Sequence, residues 1–182
     1  KMANNLRYCD DDAKDIKNVL ISQGWNSNNI NILLNNQATK AGIVNALENL
    51  KDKEKSGDVS LFTFSGHGTR GILREALCPY DTSLIGNYIY DTELASILDG
   101  FEGKIVCVLD SCYAGGMDAQ GDLTEKGDDY MDQYVNEFTS TFIGTLGASK
   151  SNRVILMACA KNEYSYEFTE LRNGLFSHFI VK

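Results

Sequence analysis

VSLFTFSGHG at Val59–Gly68 and KIVCVLDSC at Lys104–Cys112 decide the fold, because each is a short β-branched and aromatic run that breaks abruptly into small or reactive residues. An apolar run of this length, bounded by turn residues, reads as a strand buried on both faces, hence a central strand of a parallel sheet. Ligands and chemistry in open parallel sheets gather just beyond the carboxyl ends of the strands. His67 and Cys112 stand at those ends. If the two strands are neighbours, an imidazole and a thiol share one crevice, the minimum for nucleophilic catalysis by sulfur with a base beside it.

Outward from these strands the chain alternates between helical and extended patterns. Asp10–Gly24 opens with acids, carries Ile16, Val19 and Leu20 at helical spacing and stops at glycine, so it predicts a helix. Asn29–Leu34 (NINILL) predicts a strand, and Thr39–Leu50 a second helix with Ile43, Ala46, Leu47 and Leu50 on one face. Asp91–Leu98 predicts a short helix ahead of the Ile105–Leu109 strand, and Arg153–Ala158 a further strand. Such alternation implies an α/β fold, a three-layer sandwich around a mainly parallel sheet with right-handed crossovers. Between residues 113 and 150 the pattern gives way to Gly, Asp and other polar residues, so that stretch is expected to be a long mobile loop bordering a substrate cleft.

Composition narrows the function. With 182 residues, 43% of them hydrophobic, the chain can bury a core and reads as one domain over 1–182. Its net charge of -8 argues against a nucleic-acid partner and favours a basic peptide. No apolar run approaches the roughly 20 residues that a membrane-spanning helix needs. The five cysteines are scattered without a CxxC pair or finger-like spacing, so they read as reduced thiols in a cytoplasmic setting rather than as a disulfide framework or zinc site.

SGHG at Ser65–Gly68 followed by DSCYAGG at Asp110–Gly116, each closing an apolar strand, resembles the caspase-like cysteine peptidases, and among them the metacaspases and their bacterial relatives. The likeness extends to YCDDDAKDI near the start, ALCPYD at Ala76–Asp81, YDTEL at Tyr90–Leu94 and ILMACAKNEYSYE at Ile155–Glu167. It implies a caspase–haemoglobinase fold and a cysteine endopeptidase. A thiol whose reference pKa is about 8.5 is only slightly ionised at neutral pH, so Cys112 needs an imidazole to raise its thiolate fraction or take its proton. Cys112 is then the nucleophile, and His67 the group that holds the proton and delivers it to the leaving amine. The resemblance assigns the oxyanion to the amides of Gly68 and Cys112, and names no third catalytic member.

Asp110 stands where true caspases carry a glutamine beside their basic pocket. With Asp12 and Ser65 it resembles the metacaspase pocket for arginine or lysine, in which a cation gains charge-assisted hydrogen bonds and an aspartate meets like charge. The chemistry requires no cofactor. The resemblance also implies calcium in several metacaspase types, but Asp91-Thr92-Glu93 replaces one acid of their motif with threonine and Asp118 is displaced, so Asp91 and Asp118 match that site only in part. Calcium prefers about six to eight oxygens. Asp122, Asp128 and Asp129 can add some, and equally well form a solvated acidic loop.

A peptidase with basic specificity is expected to cut itself where the loop exposes basic residues, with Lys126, Lys150 and Arg153 the candidates and Lys126, in the most polar and Gly-rich part, the foremost. Taken singly, Cys112 is a buried thiol and His67 a core histidine; Asp12 is a helix-start acid and Asp110 a strand-end cap. The pairing of both motifs at strand ends favours the catalytic reading. Cys107, Cys159 and His178 read as packing residues, and Cys9 as a neighbour of the pocket. Two other functions compete: a catalytically silent caspase-like scaffold, and a receiver-like domain using Asp10–Asp12 and Asp110 for magnesium and a phosphoryl group. The second leaves SGHG and Cys112 without a role. Finally, the resemblance implies an apolar strand ahead of the Tyr8–Cys9 motif, and Lys1–Asp12 holds none, so either another segment takes its place or the sheet is interrupted.

Overall fold

Both apolar runs form strands, and they lie side by side. The computed structural model describes residues 6–70, 75–113, 153–158 and 167–182, with the backbone alone at 69, 70, 75, 112 and 113. In chain order come α1 (Cys9–Ser22), α2 (Lys40–Lys53), β1 (Val59–Arg70), β2 (Glu75–Leu77), β3 (Ile89–Tyr90), α3 (Asp91–Asp99), β4 (Lys104–Tyr113), β5 (Arg153–Met157), β6 (Glu167–Phe168), β7 (Asn173–Gly174) and α4 (Leu175–Ile180). Five strands share one sheet in the order β3-β2-β1-β4-β5. The β1–β4 and β4–β5 pairs are parallel, whereas β2 and β3 add an antiparallel edge. β6 and β7 form a separate small ribbon. The α/β architecture with a mainly parallel sheet is therefore as expected. Among the described residues no helix is long and apolar enough to cross a membrane.

Local chemistry accounts for most of these elements. Asp10, Asp11 and Asp12 occupy the first turn of α1, where the helix dipole favours negative charge. Past its end Gly24 adopts φ +91, a conformation costly for other residues. Thr39 caps α2 by accepting from the amide of Gly42 at 3.1 Å, and Lys51 and Lys53 complement the opposite end. β4 is buried on both faces: Ile105, Cys107 and Leu109 enter the core cluster from one side, while Val108 is buried on the other. Leu94, Leu98 and Phe101 close that core from α3 and the turn behind it.

The turn that launches β4 is tightly held. The Glu54 carboxylate accepts from the amides of Glu102 at 2.6 Å and Gly103 at 2.9 Å. A Cβ on Gly103 would fall 2.6 Å from both the Asp58 carbonyl and Glu54 Oε2. Gly103→Ala is expected to destabilise the protein by about 1–3 kcal/mol through overpacking, read as a lower urea midpoint with an unchanged slope; an unchanged midpoint contradicts this packing.

One expectation fails. Asn29–Leu34 is not a strand: between the 3-10 turns Ser27–Asn29 and Asn35–Gln37 the backbone is extended, with Ile30 at φ -105, ψ 111 and Leu34 at φ -113, ψ 137, but among the described residues it joins no sheet. Alternating apolar residues favour extension, yet a strand exists only where a second backbone takes up its hydrogen bonds. A cleft of about 1940 Å³ separates this segment from β1, lined by Ile30, Ile32 and Leu34 on one side and Ser60, Phe62 and Phe64 on the other. No described strand occupies it, and Val59–Gly66 pairs only with β4 among the described residues. Conversely, β2 and β3 fall in a stretch that shows no sequence periodicity; at three and two residues they are too short to show one.

Candidate active site

The parallel register of β1 and β4 builds the site from the backbone. His67 pairs with Cys112, Gly68 with Tyr113 and Ser65 with Asp110. Neighbouring strands run about 4.8 Å apart, so positions 67 and 112 sit side by side at the carboxyl ends of two central strands. Strand alternation puts Ser65 and His67 on one face of β1. The carbonyl of His67 accepts from the amide of Cys78 at 2.9 Å, which ties this end of β1 to the loop after β2. Gly68 is buried there.

On the face carrying Ser65, two carboxylates converge. Asp12 is 1% exposed and Asp110 6%. Ser65 Oγ donates to Asp12 Oδ2 at 2.6 Å. Asp12 Oδ1 accepts from the Gly174 amide at 2.9 Å and Asn173 Nδ2 at 3.1 Å. Asp110 Oδ2 accepts from Ser177 twice, at 3.0 Å from its amide and 2.6 Å from its hydroxyl. Gly174 lies between the acids: a Cβ there would fall 2.4 Å from Asp110 Oδ2 and 3.2 Å from Asp12 Oδ2. Burial pushes the Asp12 carboxyl above its ordinary range, with the Asp110 charge adding to it and the donors opposing. Asp12, Ser65 and Asp110 are thus brought together, immediately before positions 67 and 112.

The neighbouring acids behave differently. Asp10 and Asp11 pair with Lys14 at 2.5 and 3.3 Å, and Asp11 also meets Arg172 at 3.2 Å. Helical geometry turns only one residue of the Asp10–Asp12 run inward. Cys9 donates to Glu167 Oε1 at 3.7 Å, and its thiol is pushed up to about 12, by burial first, with the Glu167 and Asp12 charges adding. Burial raises Cys78 to about 11 and Cys107 to about 12. These three thiols are protonated at neutral pH and make poor nucleophiles. Cys9 lies beside Ser65 and Asp12, and Cys107 is buried in β4, as expected of a packing residue. His178 packs edge-on against Phe179 at 5.6 Å in α4.

Of the calcium candidates only Asp91 lies among the described residues. The Asp91 carboxylate accepts from the Thr92 amide at 2.7 Å, and Glu93 pairs with Lys40 at 2.7 Å. No three metal-ligating side chains cluster among the described residues. Asp118, Asp122, Asp128, Asp129, Lys126, Lys150 and Cys159 lie outside the described residues, as does the side chain of Cys112.

Sequence reasoning missed Glu167, Asn173, Gly174 and Ser177. Glu167 accepts from the amides of Arg7 at 2.8 Å and Tyr8 at 2.9 Å, anchoring the entry to α1. The available signals were an Asn-Gly pair and a small hydroxyl inside the apolar run LFSHFIV.

A family model described as Caspase domain matches residues 1–182. Metacaspase-6 of Arabidopsis thaliana is 27% identical over 201 residues, covering 96% of this chain and 54% of the relative. Metacaspase-8 of the same plant is 30% identical over 129 residues, covering 62% and 33%. Metacaspase-1 of Plasmodium falciparum is 32% identical over 133 residues, covering 60% and 21%. The chain thus spans at most about half the length of these three relatives. A crystal structure of a Geobacter sulfurreducens protein superposes with a TM-score of 0.66 at 20% identity, covering 96% of this chain and 71% of the other, and shares the fold.

Proposed function

The chain belongs to the caspase domain family, and from that premise we propose that it is a cysteine endopeptidase cutting after arginine or lysine, with Cys112 as nucleophile and His67 as its acid–base partner. One observation supports this reading: a buried carboxylate pair, Asp12 and Asp110, lies beside the adjoining positions 67 and 112. A guanidinium or ammonium seated on that pair replaces mutual repulsion with charge-assisted hydrogen bonds. The bond after the basic residue then lies at the strand ends.

The Cys112 thiol gives its proton to His67, and the thiolate sulfur attacks the scissile carbonyl carbon. The amides of Gly68 and Cys112 hold the developing oxyanion. Collapse breaks the C–N bond while the His67 imidazolium protonates the leaving amine. Water, deprotonated by His67, then attacks the thioester, releasing the new carboxyl terminus and the thiol. The same specificity allows cleavage of its own chain after Lys126 or Lys150.

Fluorogenic peptides ending in Arg, Lys or Asp, assayed with and without calcium and after thiol alkylation, test the proposal. The expected result is turnover of the basic peptides, lost on alkylation, with the Asp peptide refused. Equal turnover of all three overturns the specificity, and no turnover of any leaves a silent scaffold.

A pH dependence follows from Asp12. Its raised pKa means that it takes up a proton on acidification sooner than an ordinary aspartate at about 3.9. KM for an Arg peptide is therefore expected to rise on acidification while still above that value. For the free protein the sign is opposite. Stability from the protonated, buried carboxyl is fully present below the unfolded value and is lost as pH rises through the folded one. A KM that stays flat down to the ordinary aspartate range contradicts a role for Asp12 in binding.

A further inference from the structure

We propose that the segment Asn173–Ser177 is a clamp that holds Asp12 and Asp110 as one cation receptor, and that Ser177 is the positioning residue for Asp110. The proposal deepens the reading above and rests on it. Two carboxylates meeting in a poorly hydrated site repel each other, and each stays ionised only if donors point at it. This one segment supplies four: the Gly174 amide and Asn173 Nδ2 to Asp12, and the amide and hydroxyl of Ser177 to Asp110. Asn173 Nδ2 also lies 3.0 Å from Asp15 Oδ2, bracing the segment against α1.

The geometry separates this role from simple packing. Both Ser177 donors converge on a single oxygen, Asp110 Oδ2, which fixes how the carboxylate is turned. Ser177 is 1% exposed, and Gly174, with no room for a Cβ, lets the segment come against both acids at once. Ser177 therefore acts on a bound cation only through Asp110. Its segment lies more than sixty residues from Asp110 and more than a hundred and fifty from Asp12 along the chain, so packing of the carboxyl-terminal elements and basic-residue recognition are one event.

The test is steady-state kinetics on Arg, Lys and Asp peptides with wild-type protein, Ser177→Ala and Ser177→Thr. A hydrogen bond to a charged group contributes about 1.5–3 kcal/mol, so Ser177→Ala is expected to raise KM for the Arg peptide about tenfold or more, with kcat within about threefold. Ser177→Thr, which keeps the hydroxyl, is expected to restore the KM. Should Ser177→Ala fail to fold, Ser177→Cys, close in volume and a weak donor, reads the same quantities. A wild type that prefers basic peptides, with a folded variant whose KM does not move, overturns the clamp alone, as does a loss confined to kcat. A wild type indifferent to the basic residue overturns the pocket reading and the clamp with it.

Discussion

Cys112→Ala is expected to lower kcat/KM on an Arg peptide by at least about 10⁴-fold, the scale on which removal of a covalent nucleophile is felt, while leaving the unfolding midpoint nearly unchanged. His67→Ala is expected to lose about 10²–10⁴-fold, the range of general acid–base assistance. The double variant should be little worse than Cys112→Ala, because proton transfer has no step to serve once the sulfur is gone. Stoichiometric alkylation at neutral pH sharpens the test. Cys9, Cys78 and Cys107, pushed up to between about 11 and about 12, stay protonated and react slowly. Rapid loss of activity with label on Cys112 is the expected pattern; a folded Cys112→Ala protein retaining one part in a hundred of the activity overturns the assignment.

Asp110→Asn carries the second large effect. The amide is nearly isosteric and its oxygen can still accept from the amide and hydroxyl of Ser177, so the fold should persist. What disappears is one of two charges opposing a buried cation. Removing one partner of a desolvated charge pair costs about 2–5 kcal/mol, so kcat/KM on Arg and Lys peptides should fall about 10²–10³-fold, mostly through KM. Asp12→Asn should do the same, with a smaller penalty to the folded protein at neutral pH, because burial already disfavours its ionised form. A variant that still prefers Arg over Asp by the wild-type ratio would place the basic pocket elsewhere.

The candidate site was legible in the sequence to an uneven degree. Val59–Ser65 and Ile105–Leu109 announced themselves as β-branched and aromatic runs bounded by turn residues, and β1 and β4 do pair along their length, although only β4 is buried on both faces and Leu61–His67 of β1 are half-buried. The three helices Cys9–Ser22, Lys40–Lys53 and Asp91–Asp99 followed from the 3.6-residue period with acids, a threonine cap or a glycine stop at their ends. Asn29–Leu34 misled because an alternating pattern reports a preference for extension and says nothing about what lies alongside. Which of Asp10, Asp11 and Asp12 turns inward was a matter of a hundred degrees per residue around α1, decided by where β1 and β7 press against it.

Residue order alone was enough to determine the parallel α/β frame and to set positions 67 and 112 at its strand ends, since each apolar run is encoded within a window no longer than one secondary-structure element. Only the folded chain decided that Asn173, Gly174 and Ser177 embrace Asp12 and Asp110, that Glu167 anchors the entry to α1, and that a cleft separates Asn29–Leu34 from β1. The reason is one of range. Apolar periodicity is a local property of the backbone, whereas the partner of a buried carboxylate or of an extended segment is chosen by packing, across separations in sequence where no pattern survives.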